Sequence, residues 1–65
     1  MDAEVFIQFK YESLSNLELY NVEKVKVDLR NGIIKVNHCG GFLHVDLHDV
    51  SSFYCDKITP EYIYN

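Results

Sequence analysis

Val25-Lys26-Val27-Asp28-Leu29-Arg30-Asn31-Gly32-Ile33-Ile34-Lys35-Val36-Asn37-His38-Cys39-Gly40-Gly41-Phe42-Leu43-His44-Val45-Asp46-Leu47 holds two turn signals set between alternating apolar residues. Asn31-Gly32 is the preferred two-residue type I′ hairpin turn, since both central positions need positive φ. With that pair in the loop, Arg30 faces Ile33, Leu29 faces Ile34, Asp28 faces Lys35 and Val27 faces Val36. Gly40-Gly41 is the next turn signal. It sets Cys39 opposite Phe42, Asn37 opposite His44, Val36 opposite Val45, Lys35 opposite Asp46 and Ile34 opposite Leu47. The two registers agree on which face is apolar. Val25, Val27, Leu29, Ile34, Val36, Leu43, Val45 and Leu47 share one face. The other carries a row Asp28–Lys35–Asp46 and a row Lys26–Asn37–His44. A one-residue slip would carry every valine to solvent, so the pattern specifies an antiparallel meander.

The same alternation extends to both sides. Val5, Ile7, Phe9 and Tyr11 alternate with Gln8 and Lys10, which predicts a half-buried strand over 4–11. Ser13-Leu14-Ser15-Asn16 interrupts it as a turn. Further strands are expected over 17–30, bent because it is too long to stay flat, then over 33–39, 42–48 and 53–57. Leu19-Tyr20-Asn21-Val22 and Leu47-His48-Asp49-Val50 open two copies of one pattern, L-x-[ND]-V-x-x-[VF]-x-[VC]-D. The apolar phase shifts across each copy, as at a bulge or a 3₁₀ turn, so each reads as a corner where a strand passes between sheet layers. The expected architecture is all-β: a small five-stranded antiparallel meander, forming a strongly bent sheet or a partly closed barrel. SH3-like and Sm-like small barrels share that layout, although no family motif accompanies it. Residues 1–58 form the domain. In 59–65, Thr59-Pro60 opens like a helix, with too few residues after it to hold one unaided, so a turn or a docking arm is expected.

The chain has 65 residues, 48% of them apolar and 14% aromatic, which suits one small domain with a marginal core. Six basic residues stand against ten acidic ones, a net charge of −4. Lys10, Lys24, Lys26, Arg30, Lys35 and Lys57 are interleaved with acids along the chain. A nucleic-acid binder carries a basic stripe and a membrane-surface protein a basic cluster, so neither nucleic acid nor membrane is an expected direct partner. Met1-Asp2-Ala3-Glu4 is acidic where a secretory signal would be basic. A cytoplasmic setting, in a cell or an infected host cell, is therefore expected, with Cys39 and Cys55 as reduced thiols.

Catalytic and metal constellations are weak. On a continuous strand His44, Asp46 and His48 would share a face, but histidines four residues apart stand about 13 Å from each other, too far for one zinc ion. Shared between subunits, His44, His48 and Cys39 escape that limit. His38 and Cys39 are sequence neighbours that point to opposite faces, which defeats a thiol–imidazole pair. No phosphate loop or nucleophile elbow occurs. The expectation is a protein without catalytic residues, cofactor or metal, working as an acidic module that binds another protein. Stoichiometric inhibitors fit this description, among them phage or mobile-element products that block a host nucleic-acid-binding or defence protein. Glu23, Asp28, Asp46, Asp49 and Asp56 are the candidate acids, with Phe42 and Tyr54 as anchors. The alternative is a homo-oligomer binding a small ligand or nucleotide through Lys26, Arg30, Lys35, His44 and His48, or an accessory subunit of a larger complex.

Overall fold

The computed structural model describes residues 3–64, so Met1 and Asp2 of the expected domain and Asn65 of the expected arm lie outside the described residues. Seven strands run in order: β1 (Glu4–Phe9), β2 (Leu17–Leu19), β3 (Val22–Asp28), β4 (Ile33–His38), β5 (Gly41–Asp46), β6 (Val50–Asp56) and β7 (Glu61–Ile63), with a 3₁₀ turn at Leu47–Asp49. They form a three-stranded sheet, β2-β1-β6, and a four-stranded sheet, β5-β4-β3-β7. All pairings are antiparallel except β3–β7, so the larger sheet is mixed. The two sheets share one core, in which Val5 and Ile7 of β1 meet Val25, Val27, Ile34, Val36 and Val45 of the other layer.

The expected barrel does not close, because the hydrogen-bond ladder is cut at both corners. At the first, Asn21 takes φ 55° and the bent strand expected over 17–30 becomes β2 in one sheet and β3 in the other. At the second, the Asp46 carboxylate accepts from the His48 amide at 2.9 Å and turns the chain out of β5 into the 3₁₀ turn. The Lys10 amide then donates to the Asp49 carbonyl at 2.9 Å, tying that turn to the end of β1. Both copies of the repeated pattern thus fall where the chain changes sheets.

Both hairpin registers differ from the expected ones, each by two residues. Val25 faces Val36, Lys26 faces Lys35, Val27 faces Ile34 and Asp28 faces Ile33. Asn31-Gly32 does not form a type I′ turn, since only Gly32 of the pair has positive φ (66°). Instead Leu29–Gly32 forms a longer loop, closed by Asp28: its carboxylate accepts from the Asn31 amide at 3.1 Å and from Asn31 Nδ2 at 2.8 Å. In the next hairpin Ile34 faces Val45, Lys35 faces His44, Val36 faces Leu43 and Asn37 faces Phe42. The turn there is Cys39-Gly40, with φ 49° and 77°, and not Gly40-Gly41. Positive φ at a cysteine is uncommon. It is held by the Cys39 amide donating to the Asn21 carbonyl at 3.4 Å and by the thiol donating to the Tyr20 carbonyl at 3.6 Å.

An even shift preserves the faces, so the valine layer survives both changes. Leu29 does not belong to it; it sits in the loop, 42% exposed. The Asp28–Lys35–Asp46 row is not formed, because Asp28 and Asp46 both lie opposite Ile33. The helix start expected at Thr59-Pro60 is also absent. The chain remains extended, and β7 lies parallel to β3, where the Leu29 amide donates to the Ile63 carbonyl at 2.9 Å.

Candidate functional site

In a two-layer sandwich every side chain that points away from the core belongs to one of two outer faces. On β1, Val5 and Ile7 point inward, which turns Glu4, Phe6 and Gln8 outward. Pairing then sets Glu18 of β2 and Tyr54 of β6 on either side of Phe6, and Asp56 opposite Glu4. Phe6 and Tyr54 stack with ring centroids 6.1 Å apart and planes tilted by 32°, inside the range of favourable aromatic pairs. Tyr54 keeps 59% of its surface exposed. The Tyr20 hydroxyl donates to Glu18 Oε2 at 3.0 Å. That bond and the Glu18 charge raise the Tyr20 pKa above its ordinary value. The three-stranded sheet therefore shows an acidic–aromatic face: Glu4, Glu18 and Asp56 around the Phe6–Tyr54 pair.

The four-stranded sheet presents the opposite charge. Lys24, Asn37 and Phe42 form one cross-strand row, and Glu61, Lys26, Lys35 and His44 form the next, with Glu61 on the β7 side. All but Glu61 line a shallow groove of about 210 Å³, with Phe42 78% exposed on the edge strand. Among the described residues none of the three lysines has a carboxylate within ion-pairing distance.

Most of the acids expected to bind a partner are engaged elsewhere. Asp28 is buried, and its carboxyl is held below the usual range, first by the Asn31 side chain and then by the Asn31 amide. Asp46 is lowered mainly by the His48 amide, and its Oδ1 lies 3.3 Å from His48 Nδ1. Glu23 accepts from the Gly40 amide at 3.4 Å beside the Cys39-Gly40 turn, and Asp49 stands in the 3₁₀ turn at the far corner. Of the expected protein-binding set, Tyr54 and Asp56 meet on one face, while Phe42 lies on the other. Of the alternative set, Lys26, Lys35 and His44 converge in the groove. Arg30 sits in the Leu29–Gly32 loop, and His48 is carried off the strand by the corner, so His44, Asp46 and His48 do not share a strand face.

Sequence reading missed Glu4, Glu18 and Lys24 as members of these faces, and it placed Asn37 on the right face but between Lys26 and His44, where the structure sets it between Lys24 and Phe42. Their strand parity was visible, but parity says nothing about which strands lie side by side. Cys39 and Cys55 are both free thiols, and burial pushes the Cys55 pKa up. Among the described residues no cluster of three or more His, Cys, Asp or Glu side chains has metal-binding geometry. Comparison of the chain with protein-family models, with curated proteins and with solved structures gives no match.

Proposed function

We propose that this chain is a non-enzymatic protein-binding module that offers the outer face of its three-stranded sheet to a basic partner surface. The observation that carries the reading is the placement of Glu4, Glu18 and Asp56 around the Phe6–Tyr54 pair. A tyrosine more than half exposed on a rigid strand supplies an anchor of low ordering cost, and tyrosine is enriched among binding hot spots. The surrounding carboxylates favour a cationic partner and speed encounter with it. The basic groove of a nucleic-acid-binding protein has that chemistry, so an inhibitor from a phage or mobile element that occupies such a groove is the role most consistent with the face.

Two features support the non-enzymatic part of the proposal. Burial raises the Cys55 pKa, the wrong direction for a nucleophilic thiol. The turn thiol Cys39 lies against Asn21 and the Tyr20 carbonyl, neither of which is a general base.

The experiment is affinity capture from host lysate with the native chain, Tyr54→Ala and Glu18→Lys. The expected result is a basic protein retained by the native chain, lost with either variant, and released as salt rises. Equal capture of the same protein by all three chains would refute the assignment to this face.

A further inference from the structure

The basic side of the molecule has a cost that folding does not explain. Lys26 and Lys35 are direct cross-strand partners, an arrangement that destabilises a sheet when the charges are alike. Lys24 stands two residues along the same strand, about 7 Å away at strand rise. Glu61 of β7 lies opposite Lys26 and Asp28 acts on Lys35 through space, but among the described residues no carboxylate comes within ion-pairing distance of the three lysines. Beside these cations, Phe42 exposes most of its ring at the edge of the sheet, where a planar group can approach without displacing any strand. Asn37 and His44 supply hydrogen-bonding groups between them.

We infer that the outer face of the four-stranded sheet binds single-stranded nucleic acid. A base stacks on Phe42, Lys24, Lys26 and Lys35 neutralise adjoining phosphates, and Asn37 and His44 contact base edges. Stacking on an exposed ring together with a cationic groove is the general chemistry of strand binding, and it needs no deep pocket. The ligand must be unpaired, because bases stacked within a duplex offer no free face to Phe42. The net charge of −4 does not oppose this. Glu4, Glu18 and Asp56 stand on the outer face of the other sheet, across the core from the groove, and their effect on it falls with that distance. The expectation against nucleic acid came from basic residues dispersed along the chain. The fold brings three of the six onto one face.

The test is fluorescence anisotropy of the full chain with labelled ten-residue oligothymidylate. Phe42→Ala, Lys35→Gln and Tyr54→Ala variants are run beside it, with a duplex of the same length and free thymidine monophosphate as competitors. Three neutralised phosphates give a slope of log affinity against log salt of about −2, and Lys35→Gln reduces its magnitude by about 0.7. Phe42→Ala weakens binding roughly five- to 150-fold, the range that loss of one base–aromatic stack produces. Tyr54→Ala leaves strand binding unchanged, which separates this site from the protein-binding face. Phe42 is 78% exposed and its truncation leaves the core intact, so lost binding is not lost folding; a thermal melt of the variant checks this. Absence of saturable binding overturns the proposal. So does competition by duplex or free nucleotide as strong as by the strand, or affinity indifferent to Phe42→Ala and Lys35→Gln.

Discussion

The two outer faces of this sandwich are built on one plan with opposite charge. Each has exposed aromatic surface, Tyr54 with Phe6 on one side and Phe42 on the other. Each also sets like charges directly across a pair of strands: Glu4 opposite Asp56, and Lys26 opposite Lys35. Between them lies a shared apolar core of small branched side chains. Because the core needs only the inward residues of each strand, the outward ones are free to sort by charge. The overall acidity of the chain hides this sorting. Net charge thus describes neither face, and the like-charged pairs set across strands at a cost to stability are the ground on which binding is proposed for each.

The comparison breaks most completely at what the faces share. Ile34 is fully buried, and Ile34→Ala should cost about 2–5 kcal/mol, as large-to-small core changes do. A core of this size supplies roughly 3–5 kcal/mol in all, so the variant should be largely unfolded at room temperature and lose both faces together. Circular dichroism with urea titration measures it; a cooperative transition at the native midpoint would show that the layers do not depend on this contact.

Acid is expected to loosen one side of the molecule first. The Asp28 carboxyl is lowered by its bonds from Asn31, so the ionised form stabilises the folded state. That contribution is fully present above the unfolded value of about 3.9 and is lost as pH falls through the lower folded one. Below about pH 4 the Leu29–Gly32 loop should therefore loosen, and Asn31→Ala should move that loosening toward higher pH. Amide exchange against pH follows it. A loop whose protection is the same in native chain and variant would remove Asp28 from this role.

The smallest effect is the most diagnostic of the comparison. Lys35→Glu turns a like-charged pair into an opposite one and should gain a few tenths to about 1 kcal/mol of stability; Asp56→Lys should do the same opposite Glu4. Each is expected to abolish binding on its own face and leave the other face intact. If thermal melts show either reversal to be destabilising, the like-charged pair is not the strain described above.

The sequence made the layers legible and left their neighbours obscure. Alternation assigned Val5, Ile7, Val25, Val27, Ile34, Val36 and Val45 to the interior, where they lie. The phase shifts at Asn21-Val22 and Asp49-Val50 located both corners. Turn chemistry was less informative, for a local reason at each hairpin. Asn31-Gly32 has the composition of a tight turn, but Asp28 three residues earlier offered Asn31 a side-chain cap that outweighed it. Cys39 gives no sign that it will accept positive φ, since its partners come from the corner at Tyr20 and Asn21. Those two-residue shifts broke the expected Asp28–Lys35–Asp46 ladder and made the Lys26–Lys35 pair. The acidic face was less visible still. It depends on β1 lying between β2 and β6, strands whose residues are far apart in the chain, and alternation within a strand carries no information about that order. Thr59-Pro60 suits a helix start locally, yet the free edge of β3 provides hydrogen bonds that a short isolated helix could not match.

Opposite faces with separate partners can be tested most directly by amide chemical shifts of the labelled chain titrated with the basic protein retained in the capture experiment. The expected result is a set of shifts confined to Glu4, Phe6, Glu18, Tyr54, Asp56 and their strand neighbours, with Lys24, Lys35 and Phe42 unmoved. Shifts centred on β4 and β5, with β1 and β6 silent, would contradict it.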